Sequence, residues 1–352
     1  MKIFPTFCFP QISLAWFLHG FSEANRTNAS FEPLQHSVYE PVQQFKRDPV
    51  LLVTTFVTEK SLFGDNMTST VILVVLVYVD DILITGNAHS FITQLVHQMQ
   101  NAFSRKDLSS VSYFLGISIQ SKGAGYLLSQ CKYACDILAK AGMVNCKPCA
   151  SPISITPSHS SIDSLPFSQP TLYRSIVGAL QYLTITRPDL AYAVNHACQH
   201  MVAPTVAHFT AVKRLLRSVQ GTLDHGLFFS PGPFTLQAYF DSDWAGDALD
   251  CRSTSGFCIF LGHNLISWSA KKQPTVSRSS TEAEYRALAH TVAELSWLQM
   301  LLRDFSIVLH SLPVLWCDNL GALALASNPV FHARSKHIAI DYHFIREKVT
   351  AK

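Results

Sequence analysis

The sequence predicts an α+β protein with enough chain for about two domains. Short apolar runs rich in Val, Ile and Leu, closed by turn residues, read as strands. Other stretches repeat their apolar residues at helical spacing and read as amphipathic helices. The 352 residues exceed one ordinary domain.

Residues 1 to about 50 carry no sustained period and are expected to be irregular. Val50–Val57 reads as a strand. Val71–Val79 and Ile82–Gly86 read as two apolar strands joined at Asp80-Asp81, a hairpin. From Ser90 to Phe103, Phe91, Ile92, Leu95, Val96, Met99 and Phe103 recur at helical spacing. A second hairpin is expected from Tyr113–Ile119 and Tyr126–Leu128 around Lys122-Gly-Ala-Gly125, followed by a helix from Lys132 to Ala141 that stops at Gly142. Pro148–Pro170 has the Ser/Pro-rich composition of a linker. Helices are then expected over Tyr173–Tyr182, Leu190–Met201 and Val206–Val219. The last region runs strand (Leu236–Asp241), paired short strands (Gly256–Leu261, Leu265–Ser269), long helix (Thr281–Phe305), strand (Val314–Cys317) and helices (Leu320–Ala326, Ile340–Lys348).

Composition narrows the class. Apolar residues make up 48% and charged ones 14%, against roughly 25% charged in ordinary soluble chains. Wholesale disorder is excluded, because it needs low hydrophobicity and high net charge. The balance of 27 basic and 24 acidic residues, +3, is too mild to mark a nucleic-acid binder by charge alone. Nine scattered cysteines, an odd number, do not make a disulfide framework and point to a reducing, intracellular compartment, cytoplasm or nucleus. Pro5, Pro10 and His19 interrupt the apolar N-terminus, which lacks a small-residue cleavage site, so a secretory signal is not the favoured reading. Val71–Val79 is far shorter than the roughly 20 residues a spanning helix needs, and no membrane partner is expected.

In a chain so poor in charge, acids at the ends of apolar strands stand out. Asp241 and Asp243 close the strand from Leu236, Asp318 closes the strand from Val314, and Glu282 and Glu284 open the long helix. If those strands are neighbours and the helix packs on their sheet, Asp241, Asp318 and one Glu meet at one edge. Clustered carboxylates repel unless a hard cation neutralises them, and Mg²⁺ takes oxygen ligands. Each acid also has an ordinary explanation. Ser279-x-x-Glu282 and Thr281-x-x-Glu284 are both capping boxes, Asp318-Asn319 precedes a helix it could cap, and Asp241-Ser-Asp243 before Gly246 fits a turn. Asp80-Asp81 has the same two readings, a hairpin turn or a pair of buried-tip anions that need a partner.

Other constellations are weak. Cys146-Lys-Pro-Cys149 is a single C-x-x-C pair without a second pair or a thioredoxin-like context. His196 and His200 share a helical face without a Glu partner. Lys213, Arg214 and Arg217 lie on one helix, where they either meet phosphates or form a solvated face.

Taken as motifs, these residues resemble the Pol polyprotein of copia-type retrotransposons. Tyr78-Val-Asp-Asp81 with Ile82–Gly86 is similar to the catalytic hairpin of a reverse transcriptase. Tyr113-Phe-Leu-Gly116, Arg174–Leu183, Thr186-Arg-Pro-Asp189, Asp241–Gly246, Ser253–Gly256, Ile266–Gln273, Ser279–Tyr285, Lys336-His337 and His343–Glu347 continue the series, from about Leu51 onward. The resemblance implies a partial polymerase palm over 51–147, the linker at 148–170, thumb and connection helices over 171–232, and a ribonuclease H-like mixed sheet with helices over 233–352. It implies that Asp80 and Asp81 are two of three polymerase metal ligands and that Tyr113 belongs to the segment gripping the primer. It assigns Asp241, Glu284 and Asp318 to a two-metal ribonuclease H site using Mg²⁺ or Mn²⁺, with Glu284 preferred to Glu282 because Glu-Tyr-Arg-Ala fits the family's catalytic Glu. Lys213, Arg214, Arg217, Lys336 and His337 become candidate contacts to an RNA–DNA hybrid or other nucleic acid.

The departures matter equally. No Asp-Val-Lys-Thr-Ala-Phe-type segment supplying the first polymerase aspartate occurs in residues 1–70, so polymerase activity is not expected. The family's last strand and helix, which carry a fourth ribonuclease H aspartate, would follow Glu347, and the sequence ends at Lys352. Asp341 is not expected to replace that residue. The expected function is therefore that of a truncated element with impaired hydrolysis of RNA in RNA–DNA hybrids, the alternative being a non-catalytic hybrid-binding module.

Overall fold

The computed structural model describes residues 2–6, 51–58, 71–78, 81–102, 106–107, 111–154, 163–305, 307–327 and 338–350. Helices and sheets both contribute, as an α+β class requires. Two compact units are present, Met1–Phe114 with Leu301–Ile307, and Leu115–Met300 with Val308–Lys352. Among the described residues no helix is long and apolar enough to cross a membrane.

The first unit holds a five-stranded sheet. Strands β2 (Leu51–Thr58), β3 (Val71–Tyr78) and β4 (Asp81–Gly86) form an antiparallel meander, with Tyr78 opposite Asp81 across the turn. Strand β1 (Lys2–Thr6) lies parallel to β4 and to the two-residue β5 (Lys106–Asp107). This corrects the irregular reading of residues 1–50 at its first residues, where five residues are too few to show a period. Pro5, which has no N–H to give, lies beyond the two β1 residues that pair with β5. Helix α1 (His89–Ala102) buries Ile92 and Val96 against Leu73, Val75, Ile82 and Ile84. Its apolar residues three and four apart form the face that the sheet covers.

Strand β6 (Tyr113–Phe114) closes that unit's main segment, and the next unit begins with the hairpin β7 (Ile117–Lys122) and β8 (Gly125–Ser129). Strand β9 (Gly226–Phe229) returns to pair with β8. Among the described residues, four α-helices lie between them: α2 (Cys131–Lys140), α3 (Pro170–Leu183), α4 (Ala191–Cys198) and α5 (Val206–Gln220). Their inward faces share one core, with Tyr173, Ile176, Val177 and Leu180 of α3 meeting Val194 of α4 and Leu215, Leu216 and Val219 of α5. Tyr173 sits inside that core and satisfies its hydroxyl on the Ala197 carbonyl at 2.8 Å.

Buried polar ties fix the connections between these helices. Arg187 is 3% exposed and forks onto both carboxylate oxygens of Asp189, at 2.9 and 2.7 Å. The same guanidinium donates to the Thr222 carbonyl and hydroxyl beyond α5, at 2.8 and 2.7 Å. A planar, permanently charged fork suits this double attachment. The Ser/Pro-rich stretch is fastened at both described ends: Cys149 N donates to Arg217 O, while Phe167 N donates to Pro204 O and Val206 N to Leu165 O.

The second sheet follows in the same unit. Strands β10 (Leu236–Ser242), β11 (Thr254–Leu261) and β12 (Asn264–Lys272) are antiparallel neighbours, and β13 (Val314–Trp316) adds in parallel to the other side of β10. The spatial order is β12-β11-β10-β13. Helix α6 (Ser280–Asp304) packs Tyr285, Ala287 and Leu288 against Phe240, joined by Ala322 of α7 (Leu320–Ser327) and Tyr342 and Ile345 of α8 (Ala339–Thr350). Along β10, buried Leu236, Ala238, Phe240 and Ser242 alternate with the more open Gln237, Tyr239 and Asp241, the period of a strand covered on one face.

Replacing Arg187 with Met keeps the volume and removes the fork. We expect Arg187→Met to lower unfolding free energy by about 2–3 kcal/mol, since buried hydrogen bonds to a charged group are lost. Urea denaturation with an unchanged m-value measures it, and a loss below about 0.5 kcal/mol would mean the fork does not hold the bundle.

Candidate metal centre

The β10–β13 register builds the site. Gln237 pairs with Val314, Ala238 with Leu315 and Tyr239 with Trp316. Carrying that parallel register two residues further sets Asp241 level with Asp318. Tyr239 and Trp316, one pleat earlier, stack with ring centroids 6.3 Å apart. Helix α6 then brings Glu284 to the same end of the sheet. One carboxylate oxygen from each of Asp241, Glu284 and Asp318 lies within 4.8 Å of the others, and no other such cluster occurs among the described residues. Asp241 and Asp318 are exposed and Glu284 is buried, so the cluster opens to solvent on one side.

Glu284 is held from one direction only. Ser242 N donates to its Oε1 at 3.3 Å, while its Oε2 is buried without a hydrogen-bond partner among the described residues. Burial pushes its pKa up to about 7, and the charges of Asp241 and Asp318 push the same way against the Ser242 N–H. A buried carboxylate with an unpartnered oxygen, beside two further carboxylates, is the donor set a hard divalent cation takes. The residues fit such an ion.

The neighbouring acids have local duties. Ser279 caps α6 by accepting from Glu282 N at 3.2 Å, and Glu282 accepts from Arg278 N at 2.9 Å while pairing with Arg286 at 2.8 Å. Asn319, not Asp318, caps α7 through Ala322 N at 2.9 Å. Asp243 accepts from Thr254 N at 2.7 Å and Gly246 N at 3.3 Å. A Cβ at Gly246 would lie 2.4 Å from the Asp243 carboxylate, so that turn requires glycine. Asp341, lifted above its usual range by burial, faces Arg286 and His290 and is not part of the cluster.

The remaining candidates fall elsewhere. Asp80, Lys336 and His337 lie outside the described residues, and Asp81 is described only as the first residue of β4. Tyr113 is exposed on β6. On α5, Lys213 is exposed with its Nζ 5.1 Å from the Phe209 ring centre, and Arg214 has a buried Nε without a hydrogen-bond partner among the described residues. Arg217 donates from Nε to the Lys147 carbonyl at 2.7 Å, tying down the Cys149 segment. His200 stacks on His208 at 3.6 Å with planes 11° apart. His196 and His200, whose rings meet edge to face with centroids 5.3 Å apart, belong to no group of three or more metal ligands among the described residues.

Gln273 had no signal in the sequence beyond its place in a quoted motif. It is buried, and the two N–H groups of its Nε2 are shared among Ser255 Oγ, the Ala283 carbonyl and Ser242 Oγ, at 2.8, 2.9 and 3.2 Å.

Comparison with known proteins places these features in context. The model of a family described as reverse transcriptase (RNA-dependent DNA polymerase) matches residues 44–155. The chain is 50% identical over 279 residues to the retrovirus-related Pol polyprotein from transposon RE2 of Arabidopsis thaliana, covering 79% of this chain and 19% of that protein. It is 35% identical over 287 residues to the corresponding polyprotein from transposon TNT 1-94 of Nicotiana tabacum, covering 79% of this chain and 22% of that protein. An uncharacterized mitochondrial protein of Arabidopsis thaliana is 55% identical over 223 residues, 63% of this chain and 92% of that protein. The chain thus spans about a fifth of the length of the Pol polyproteins it matches.

A folded-state pKa of about 7 at Glu284, above the ordinary 4.5, has a signed consequence. Without metal, the folded state holds a proton that the unfolded state releases, so this group's contribution to stability falls as pH rises from 4.5 through 7. Glu284→Gln cannot titrate. Its urea midpoint should gain on the parent's between pH 5 and pH 8 in chelator, and a constant difference would show that Glu284 ionises normally.

Proposed function

This chain belongs to the Pol family of copia-type retrotransposons, and on that premise we propose that residues 233–352 act as a ribonuclease H-like domain hydrolysing the RNA strand of an RNA–DNA hybrid. The observation that carries this reading is the convergence of Asp241, Glu284 and Asp318 at the end of the second sheet. The strand order β12-β11-β10-β13, with α6 laid on its buried face, supports it.

Asp241 and Asp318 sit on the exposed side, where a phosphodiester can approach, and Glu284 closes the buried side. Ser242 N fixes Glu284 Oε1 and thereby orients the remaining oxygen. Held by these three residues, Mg²⁺ or Mn²⁺ would supply neutralising charge and an activated water for in-line attack on phosphorus. Ionised, Glu284 would present a full charge to a cation, which competes there with the proton that burial favours. The geometry of the ligand set would position the attack.

An end-labelled RNA–DNA hybrid incubated with the protein in Mg²⁺ and in Mn²⁺ tests the proposal. We expect cleavage of the RNA strand, reduced at least about 100-fold in Asp241→Asn. Equal cleavage by parent and variant would exclude this site. Salt-sensitive binding without cleavage would replace the hydrolase with a hybrid-binding module.

A further inference from the structure

Gln273 touches the backbone neighbours of both acids that the sheet and the helix bring together. Asp241 is followed by Ser242, whose Oγ lies 3.2 Å from Gln273 Nε2. Glu284 is preceded by Ala283, whose carbonyl accepts from the same nitrogen at 2.9 Å. Ser255 Oγ on β11 is a third acceptor at 2.8 Å. On the other side, Ser277 Oγ donates to Gln273 Oε1 at 2.7 Å, and Gln273 N donates to Ser253 O at 2.8 Å. A carbonyl only accepts, so Ala283 fixes which way the amide faces, and Ser277 then completes it. Ser242, Ser253, Ser277 and Gln273 are all buried.

We propose that Gln273 is a positioning residue that sets the spacing of Asp241 and Glu284, and thereby the affinity of the carboxylate cluster for a divalent cation. The inference rests on the reading of that cluster as a metal centre. Strand β10 and helix α6 supply one carboxylate each, and the Ser242 N–H ties the strand's backbone to Glu284. Gln273 adds a second bridge one peptide away from each acid. Its amide is neutral, so it holds the two elements together without adding charge where three carboxylates already repel. A Lys would compete with the ion, and a Glu would face the Ala283 carbonyl without a proton to give.

Mn²⁺ binding to the full chain, read by electron paramagnetic resonance of free Mn²⁺, tests this apart from hydrolysis. Gln273→Met, of similar length but without donors, should bind Mn²⁺ about 10-fold more weakly than the parent, the usual effect of losing a partner behind a metal ligand. Ser277→Ala leaves both bridging donors in place and only frees Gln273 Oε1, so a loss of about 3-fold is expected, and it carries the test if Gln273→Met does not fold. Asp241→Asn separates the two ideas. If it binds as the parent does, the metal centre itself is wrong and this inference falls with it. If it abolishes binding while the folded Gln273 and Ser277 variants keep parental affinity, the metal centre stands and the positioning role is refuted. A lowered melting temperature with unchanged Mn²⁺ affinity would make Gln273 a fold residue alone.

Discussion

Repulsion among three carboxylates is the constraint that one end of the second sheet must accommodate. Oxygens within 4.8 Å of one another carry like charges that cost of the order of 3 kcal/mol per pair at an effective dielectric of 20. A chain with 14% charged residues has few cations to spare, and no Lys or Arg ion pair forms to these three acids among the described residues. The protein's own remedy is a proton on Glu284, whose pKa of about 7 reflects burial first and its two neighbours second. A divalent cation is the other remedy. Proton and cation therefore compete for one oxygen, and the geometry must serve both states.

That geometry comes from ordinary parts. A parallel register aligns Asp241 with Asp318, because β13 enters beside β10 and each strand carries its acid just past the paired residues. The helix brings Glu284 through apolar packing of Tyr285 and Leu288 on Phe240. Neither element senses the acids. The polar network at Gln273 and Ser242 does, and it is buried where an unsatisfied donor would be expensive. In the helical part, a comparable task falls to Arg187, whose charge is matched by Asp189 and whose remaining donors find Thr222. In both places a buried fork of donors, not more apolar area, decides which arrangement of well-packed elements is adopted.

Much of this was legible in the sequence, for reasons of period. Strands at 71–78, 81–86 and 236–242 and helices at 206–220 and 280–304 fall within about two residues of their pattern-based limits, because each buries one face against a single partner surface. Strand β1 was not legible, since five residues with a proline show neither alternation nor a run. The candidate site was readable as a set of acids at strand ends, and resemblance chose among them. Gln273 was invisible for a physical reason: one amide serving three elements leaves no spacing rule along the chain.

The acids themselves show what pattern cannot separate. Glu282 and Glu284 each complete a capping signature with the residue three before it, and Asp241 and Asp243 flank one serine. In the fold, Glu282 and Asp243 spend their oxygens on N–H groups within the same turn or its partner strand. Their neighbours Glu284 and Asp241 meet each other across 43 residues of chain instead. A capping acid is satisfied by what lies next to it, which is why composition near a helix start predicts it. A site acid is recognised by the opposite property: its partners are distant in sequence, and one of its oxygens is left with nothing nearby to accept from. Two residues separate these fates here because the first turn of α6 presents Glu282 toward the cap and rotates Glu284 toward the sheet. The local pattern supplies all of these acids; the turn of α6 selects Glu284, and the β10–β13 register sets Asp241 beside Asp318.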